Sequence, residues 1–166
     1  MKMAVFSDSH GNLQLLAQAL NSAVMKGADI LVHLGDFYDD LCSLDCRART
    51  VYRVPGLPGV DTFSPSVESI AHFDFAGRSI VAIHNRAKLQ LQKGEGLLIL
   101  HGHTHKAGCA LEDDGRWYLN PGHLKADVDR GEKASFAILT ERAENEFTCD
   151  FFSPDGEALF SCSLAI

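Results

Sequence analysis

The first third of the chain alternates between apolar segments of strand length and amphipathic segments of helix length, and no other feature constrains the fold as strongly. The strand-like segments are residues 2–6, 29–34 and 50–54, and the helix-like segments are residues 12–26 and 37–49, the latter with weaker helical spacing. A strand–helix–strand order is typical of parallel sheets, because a helical crossover returns the chain to the same end of the sheet. The pattern therefore predicts a parallel sheet here.

The rest of the chain is rich in short apolar segments separated by turn residues. Strands are predicted at residues 69–75, 79–83, 97–100, 109–111, 117–119, 135–140, 147–152 and 158–164. The Asp-Gly pairs at 114–115 and 155–156 are hairpin turn signals. Since no repeat or linker divides the sequence, we predict a single α/β domain over residues 1–166, with two sheets packed face to face and helices outside.

The composition is that of a globular protein without attraction for polyanions. Of the 166 residues, 46% are hydrophobic, and the net charge is −7. No cluster of Lys or Arg offsets this charge, so neither a nucleic-acid nor a membrane partner is expected. The N-terminus turns polar after Phe6, too soon for a signal peptide, and the five cysteines form no framework, so a cytoplasmic location with reduced thiols is expected. The oligomeric state is left open, with a homo-oligomer as one alternative.

Four of the predicted strands run directly into residue types that bind metals. Asp8 and His10 follow the first strand, Asp36 follows the second, His84 follows the strand at 79–83, and His101-Gly102-His103-Thr104-His105 follows the strand at 97–100. In open α/β sheets, ligands bind beyond the carboxyl ends of the strands. These four strand ends are therefore expected to converge on one site.

Imidazole and carboxylate ligands together favour particular metals. They suit Mn, Zn, Fe or Ni better than Ca or Mg, which take mostly oxygen ligands. A shared carboxylate can bridge two ions about 3.5–4 Å apart, and such a pair polarises a phosphoryl oxygen and supplies hydroxide at neutral pH. We therefore expect two divalent transition-metal ions as cofactors, with Mn as the first choice and Zn, Ni or Fe as alternatives, and a small phosphate ester as substrate.

The motifs resemble those of the calcineurin-like metallophosphoesterases. The resemblance spans residues 3 to about 140 and rests on Asp8-x-His10, Gly35-Asp36, His84, Gly102-His103-Thr104-His105 and Asn120-Pro121-Gly122. The length and the motif order resemble the small bacterial and archaeal phosphodiesterase branch, to which the retromer subunit Vps29 is also related. The resemblance implies a four-layer α/β/β/α sandwich of two mixed sheets with outer helices, carrying a dinuclear metal centre.

The resemblance also implies roles for the motif residues. The implied ligands are Asp8, His10 and His105 on the first metal, His84 and His103 on the second, and Asp36 as the bridge. The implied activity is that of a metal-dependent phosphoesterase, of phosphodiesterase type, in which a metal-bridging hydroxide attacks phosphorus beside Asp36 and His84. The alternative is a catalytically weak or inactive metal-binding scaffold for protein partners.

One departure from the family pattern affects the second metal. Where the family carries Gly-Asn-x-Asp, with the Asn on the second metal, this chain has apolar residues: Leu57 or Val60 occupies the Asn position, depending on the alignment. Neither side chain can bind a metal, and Asp61 is the nearest residue that can. The second metal is therefore expected to be the more labile of the two.

A second departure lies beside His84. The chain reads His84-Asn85-Arg86 where the branch usually has His-Gly-His. Arg86 is therefore predicted to clamp a phosphate oxygen of the substrate and to belong to the catalytic set.

Several further histidines and acidic residues are expected to have structural roles. His33 is expected to be a hydrogen-bonded core residue, His72 to face solvent, and His101 to be either structural or adjacent to the ligands. His123 is expected to lie in a loop, with a position at the site as the alternative. Asp39 and Asp40 are expected to be solvated turn carboxylates, with a position adjacent to the ligands as the alternative for Asp39. Two other metallohydrolase patterns fit less well. A metallo-β-lactamase would have Asp-His where Lys106 stands, and an amidohydrolase would have His-x-His after its first strand.

Overall fold

Two mixed β-sheets, a small two-stranded antiparallel sheet and one α-helix form the fold over the described residues, which are 1–57, 64, 66–91 and 96–166 of the computed structural model. The strands are β1 (Lys2–Phe6), β2 (Ile30–His33), β3 (Thr50–Arg53), β4 (Ile70–Phe75), β5 (Arg78–Ile83), β6 (Leu98–His101), β7 (Gly108–Leu111), β8 (Trp117–Asn120), β9 (Val128–Asp129), β10 (Glu132–Lys133), β11 (Phe136–Ala143), β12 (Glu146–Phe152) and β13 (Ala158–Ala165). The helix is α1 (Leu13–Met25), and short 3-10 turns occur at Leu41–Ser43 and Arg86–Lys88.

The first sheet has six strands in the order β13-β12-β11-β1-β2-β3. Its β1, β2 and β3 are parallel, as the alternation in the sequence predicts, with Val5 opposite Val32. The antiparallel β11, β12 and β13 extend the sheet from the other side of β1. The sheet is therefore mixed, and the parallel strands end at the same edge.

The second sheet has five strands in the order β4-β5-β6-β8-β7. Its central strands β5, β6 and β8 are parallel, while the outer strands β4 and β7 are antiparallel to their neighbours. The parallel strands β5 and β6 are the two that precede the His84 and His103/His105 motifs. This sheet thus also presents the carboxyl ends of two central strands at one edge.

Apolar side chains from both sheets form the main core. Val5 and Val32 of the first sheet belong to the same buried cluster as Ile80, Ala82 and Leu98 of the second. This shared cluster shows that the two sheets pack face to face, because each contributes its inward-pointing alternate residues. The buried strands thereby fix the relative position of the strand ends.

Helix α1 covers the outer face of the first sheet. Its N-terminus is capped by Asn12, whose side-chain oxygen accepts a hydrogen bond from the Leu15 backbone at 3.2 Å. The buried residues Leu16, Ala19, Leu20 and Ala23 recur at helical spacing and pack against the sheet. The predicted helix at 12–26 is therefore confirmed.

The outer face of the second sheet is covered differently from the expected four-layer sandwich. Val81, Ile83 and Ile99 pack there against Leu89 and Leu91, which follow the 3-10 turn at Arg86–Lys88. Within the described ranges, α1 is the only α-helix, so the mixed α/β fold with two sheets is shown whereas helices outside both sheets are not confirmed.

The predicted helix at 37–49 is wrong. Only the 3-10 turn Leu41–Ser43 forms there, and Arg47 and Ala48 have left-handed backbone angles. Local side chains compete with the helix: the Arg47 backbone donates to Asp45 Oδ1 at 2.9 Å, and Ser43 Oγ donates to the Asp39 carbonyl at 3.1 Å. Such Ser and Asp bonds satisfy backbone groups that a helix would otherwise pair.

In the described part of the chain, no helix has the length and apolar character needed to cross a bilayer.

Candidate metal centre

Four strand ends meet at one edge of the two sheets and carry the predicted ligands. Asp8 and His10 follow β1, Asp36 follows β2, His84 follows β5, and His103 and His105 follow β6. Two overlapping clusters of ligand atoms result, one formed by Asp8, His10 and His105 and the other by Asp8, Asp36 and His84, each with its atoms within 4.8 Å of one another. His103 lies beside them, with its ring centroid 5.2 Å from that of His84.

The first cluster is compact and buried. Asp8 Oδ1 lies 3.1 Å from His105 Nε2, and both side chains are at most 1% exposed. The His10 ring stands edge-on to the His105 ring, with a centroid separation of 5.5 Å. The other Asp8 oxygen, Oδ2, accepts hydrogen bonds from Ser7 Oγ at 2.5 Å and from the His103 backbone at 3.0 Å. Asp8 Oδ1 is therefore the oxygen that faces the cleft.

Asp36 lies between two groups of candidate ligands. We call the side with Asp8, His10 and His105 the first half of the cleft and the side with His84 and His103 the second half. Asp36 Oδ2 is 3.5 Å from His10 Nε2, and Asp36 Oδ1 is 3.5 Å from His84 Nε2. One carboxylate oxygen thus faces each half. This is the arrangement that a carboxylate shared between two metal ions requires.

Hydrogen bonds at the far side of two imidazole rings determine which nitrogen faces the cleft. His84 Nδ1 lies 2.7 Å from the Leu34 carbonyl, and His105 Nδ1 lies 2.6 Å from Asp129 Oδ2. Because a carbonyl and a carboxylate only accept, Nδ1 carries the proton in both rings. The neutral rings then direct an Nε2 lone pair at the cleft, as metal ligands do.

Three buried atoms in the cleft make no well-directed hydrogen bond within the described part of the chain: Asp8 Oδ1, His10 Nε2 and His84 Nε2. The His84 lone pair also faces an Asp36 oxygen, and two acceptors at 3.5 Å repel unless a cation lies between them. These residues therefore fit divalent metal ions, because a cation satisfies the acceptors without a proton donor.

The backbone that carries the ligands is unusual. Asp8, His10, His103 and His105 all have positive φ, between 48° and 69°. The left-handed region costs about 1–2 kcal/mol for each such residue. Strain of this kind persists where surrounding structure imposes it, and it concentrates at functional sites. Gly102 completes the packing here, because a Cβ at its position would lie 2.0 Å from Ser7 Oγ.

Burial and charge act in opposite directions on the ionisable groups of the cleft. Burial favours a raised pKa for Asp8, but the adjacent His105 ring and the nearby His84 outweigh it, so the pKa of Asp8 is lowered. Burial favours a lowered pKa for His105, yet its contacts with the Asp8 and Asp129 carboxylates raise it. For His10 and His103, burial dominates and lowers the pKa. Both of these rings therefore favour the neutral form that binds metal.

Comparison with known proteins identifies the family. The family described as the calcineurin-like phosphoesterase superfamily domain matches residues 1–144. This match covers most of the chain. The chain belongs to the calcineurin-like phosphoesterase superfamily. The family implies divalent metal ions, in agreement with the geometry of the cleft.

Several solved structures resemble this chain over nearly its whole length. The phosphoesterase Yfce from E. coli is 18% identical with a TM-score of 0.73, and the match covers 99% of this chain and 100% of that one. A predicted phosphoesterase from Streptococcus pneumoniae TIGR4 is 20% identical with a TM-score of 0.71, covering 99% and 97%. Vps29 from Entamoeba histolytica complexed with Zn²⁺ is 18% identical with a TM-score of 0.67, covering 99% and 98%. No curated protein matches the chain significantly.

The position of the missing family Asn can be read from the packing against Asp36. A Cβ on Gly56 would lie 1.9 Å from Asp36 Oδ1, and the Leu57 backbone donates a hydrogen bond to the same oxygen at 3.0 Å. A Gly followed by Leu57 thus contacts the central carboxylate, which favours Leu57 over Val60 as the residue at the Asn position. Val60 and Asp61 lie outside the described residues.

Arg86, predicted to clamp a phosphate oxygen, has other partners. Its guanidinium pairs with Glu112 and lies 5.0 Å from the centroid of the Tyr118 ring. The Arg86 side chain is 42% exposed. Arg86 is thus close to the candidate ligand His84 in sequence, but its guanidinium contacts Glu112 and Tyr118 of the β7–β8 hairpin rather than the ligands.

Sequence reasoning missed Asp129 and did not favour His123 as a residue of the site. Asp129 on β9 bonds His105 and pairs with Lys125 at 3.1 Å. His123, expected to lie in a loop with a position at the site as the alternative, is fully buried and stacks on His105 with a centroid separation of 5.1 Å. Burial is the main cause of the lowered pKa of His123. Asn120-Pro121-Gly122 preceding His123 was the available signal for its placement; nothing in the sequence pattern marks Asp129.

A buried hydrogen-bond chain supports the loop between the first two ligands. Ser9 Oγ contacts His33 Nε2 at 3.0 Å and Asp40 Oδ2 at 2.8 Å, and the Gly11 backbone donates to the same Asp40 oxygen at 2.8 Å. The prediction of His33 as a hydrogen-bonded core histidine is confirmed. Asp40, predicted to be a solvated turn carboxylate, instead fixes the loop that carries Asp8 and His10.

Proposed function

We propose that this chain is a metal-dependent phosphoesterase of phosphodiesterase type that acts on a small phosphate ester, as one domain with a two-metal centre. The observation that carries the proposal is the position of Asp36, whose two oxygens each face an unpartnered imidazole nitrogen, His10 Nε2 on one side and His84 Nε2 on the other. A carboxylate between two imidazole groups suits a shared metal ligand better than any purely structural role.

The metal ions, when bound, supply Lewis acidity and activate water for attack on phosphorus. The chain's own residues hold the ligands in place. Asp129 and the Leu34 carbonyl retain the Nδ1 protons of His105 and His84, so that Nε2 of each ring stays available. The Ser7 hydroxyl and the His103 backbone occupy Asp8 Oδ2 and leave Oδ1 for the cleft. These contacts reduce the reorganisation needed during the reaction.

The balance of the reaction is simple. Water adds its oxygen to phosphorus, the ester P–O bond breaks, and the departing oxygen takes up a proton to leave as an alcohol. The negative charge that develops on the phosphoryl oxygens requires local positive charge, which the protein as a whole, with a net charge of −7, does not supply. Metal ions are therefore the source of positive charge that this cleft requires.

The test is hydrolysis of bis(4-nitrophenyl) phosphate and of 4-nitrophenyl phosphate by the purified protein, with metal content measured in parallel. We expect turnover that requires added Mn²⁺, stops with a chelator, returns on readdition, and is faster for the diester. Metal binding without hydrolysis of either ester would contradict the proposal.

The second candidate is a metal-binding scaffold for a protein partner. Leu57 favours it, because an apolar residue stands at a ligand position of the family and lies beside the cleft. Vps29 from Chaetomium thermophilum complexed with a cyclic peptide also resembles this chain, with 12% identity and a TM-score of 0.60. This candidate predicts a bound ion together with no ester hydrolysis.

A further inference from the structure

A cavity of about 290 Å³ opens beside Asp36, and the mechanism above does not use it. Its lining includes His84 and Leu57, and both contact Asp36 Oδ1: His84 Nε2 lies 3.5 Å away and the Leu57 backbone donates to it at 3.0 Å. The cavity therefore adjoins the side of Asp36 that faces His84.

The walls of this cavity are apolar. Pro55 and Leu57 come from the segment after β3, while Ile70 and Ile83 are directly opposed residues of β4 and β5. Directly opposed residues of antiparallel strands have Cβ atoms about 4.5–5.5 Å apart, so the two isoleucines form a continuous surface. Such a surface binds an apolar group by removing it from water.

The polar side chains of the cavity are few. Besides the buried His84, they are Ser69, Asn85 and Lys88, of which Ser69 and Lys88 are exposed. Lys88 forms no ion pair within the part of the chain that the structure describes. A pocket with apolar walls and a few polar groups at its mouth is typical of small-ligand sites. A volume of about 290 Å³ is near the lower limit of such sites, and one ring system suits it better than a long chain.

We propose that this cavity binds the organic group of the substrate, and that this group is a flat ring, either aryl or nucleobase. The inference rests on the proposed function, since it assigns the ester group of the same phosphate. The replacement of the family Asn by Leu57 then has a positive consequence: the position contributes an apolar wall to the substrate pocket instead of a ligand to the second metal.

Two phosphonates that cannot be hydrolysed test the pocket separately from catalysis. Phenylphosphonate and methylphosphonate carry the same anionic group for the metal centre and differ only in the ring. Binding of each to Mn²⁺-loaded protein is measured by calorimetry. We expect phenylphosphonate to bind about tenfold more tightly, a ratio that corresponds to partial burial of one ring. Adenosine 5′-phosphonate analogues in a further arm distinguish a nucleobase from an aryl group.

Ser69→Trp should fill the mouth of the pocket. Ser69 is exposed, so a large side chain is accommodated without disturbing the core. We expect this variant to bind both phosphonates equally, with the methylphosphonate affinity unchanged. Ser79→Trp is the matched control, because Ser79 is exposed on the neighbouring strand β5 and does not line the cavity. It should retain the tenfold preference.

The outcomes separate this proposal from the proposed function. Equal affinities for the two phosphonates in the unmodified protein, with ester hydrolysis intact, would overturn the pocket and leave the phosphoesterase standing. A ring preference that Ser69→Trp abolishes, in a protein that hydrolyses no ester, would support the pocket and overturn the activity. A preference that survives Ser69→Trp would show that the ring binds elsewhere, and the proposal would fail.

Discussion

The two halves of the cleft are built from the same residue types but are supported differently. In the first half, Asp8 and His105 are almost completely buried and in direct contact, and Asp129 holds the far side of His105. In the second half, His84 is held by a backbone carbonyl, while Leu57 and an apolar cavity adjoin the Asp36 carboxylate. Under the proposed function, the first half would therefore bind its ion more tightly, and the second would have fewer ligands and better access for a substrate.

Asp36 contacts both halves, so its substitution should have the largest effect. Asp36→Asn keeps the size of the side chain but removes the charge that faces His10 and His84. We expect a loss of about a hundredfold or more in kcat for bis(4-nitrophenyl) phosphate, comparable to losing a major electrostatic element. The fold should remain, as judged by circular dichroism.

Asp39→Asn is the matched control for this substitution. Asp39 is 74% exposed and pairs with Arg53, so the same chemical change three residues away should leave kcat within about twofold. Near-normal turnover in Asp36→Asn would show that the carboxylate is not shared between the two halves.

Asp129→Asn should lower the metal affinity of the first half of the cleft and leave that of the second unchanged. The carboxylate accepts from His105 Nδ1 at 2.6 Å and so fixes the orientation of that ring. Loss of such a partner typically costs about 10–100-fold in metal affinity. We expect this loss in the tighter of two Mn²⁺ sites measured by calorimetry, with the weaker site unchanged. Asp127→Asn, an exposed change two residues earlier, is the control. If the weaker site alone responds, the assignment of His105 to the tight site is wrong.

Leu57→Asn should reduce the difference in metal affinity between the two halves of the cleft. The Leu57 backbone already lies 3.0 Å from Asp36 Oδ1, so an amide oxygen on this side chain would start close to the second metal. We expect about tenfold tighter binding at the weaker site, the effect of roughly 1.4 kcal/mol from one added ligand. Phenylphosphonate preference should decrease at the same time, because an apolar wall is lost.

Leu57→Ala is the control for the tighter metal binding expected of Leu57→Asn. It removes the apolar side chain without adding a ligand, so only the ring preference should change. Two equally tight sites in the unmodified protein would show that another residue already supplies the missing ligand.

The candidate ligands could be located from the sequence more readily than the residues that support them, and the physical reason is local. Asp8, Asp36 and His84 each come shortly after an apolar strand, so the strand pattern alone predicts their position at one sheet edge. Asp129 lies on a two-residue strand without apolar alternation, and its contact with His105 spans 24 residues. The Arg86–Glu112 pair spans 26 residues and is likewise determined by the packed sheet. Long-range polar contacts of this kind leave no periodic signal.

The two halves should also differ in how their metal affinity depends on pH, and this is the smallest effect we expect. A proton on His105 Nε2 competes directly with the metal, because binding requires the free lone pair. The pKa of His105 is raised above its ordinary value, since the contacts with the Asp8 and Asp129 carboxylates outweigh the burial that lowers it. In the second half, burial lowers the pKa of His103, so its ring loses its proton at a lower pH than an ordinary imidazole.

A raised pKa in the folded state means that protonated His105 stabilises the metal-free protein below about pH 6.5, and that this stabilisation is lost as pH rises through the folded pKa. Metal affinity of the tighter site should rise over the same range, by a few-fold between about pH 6.5 and pH 8, while that of the weaker site changes less. Calorimetric titration of the metal-free protein with Mn²⁺ at these pH values measures both. In Asp129→Asn, one cause of the raised pKa is removed, so the pH dependence of the tighter site should shift to lower pH. An equal dependence at the two sites would mean that His105 does not distinguish them.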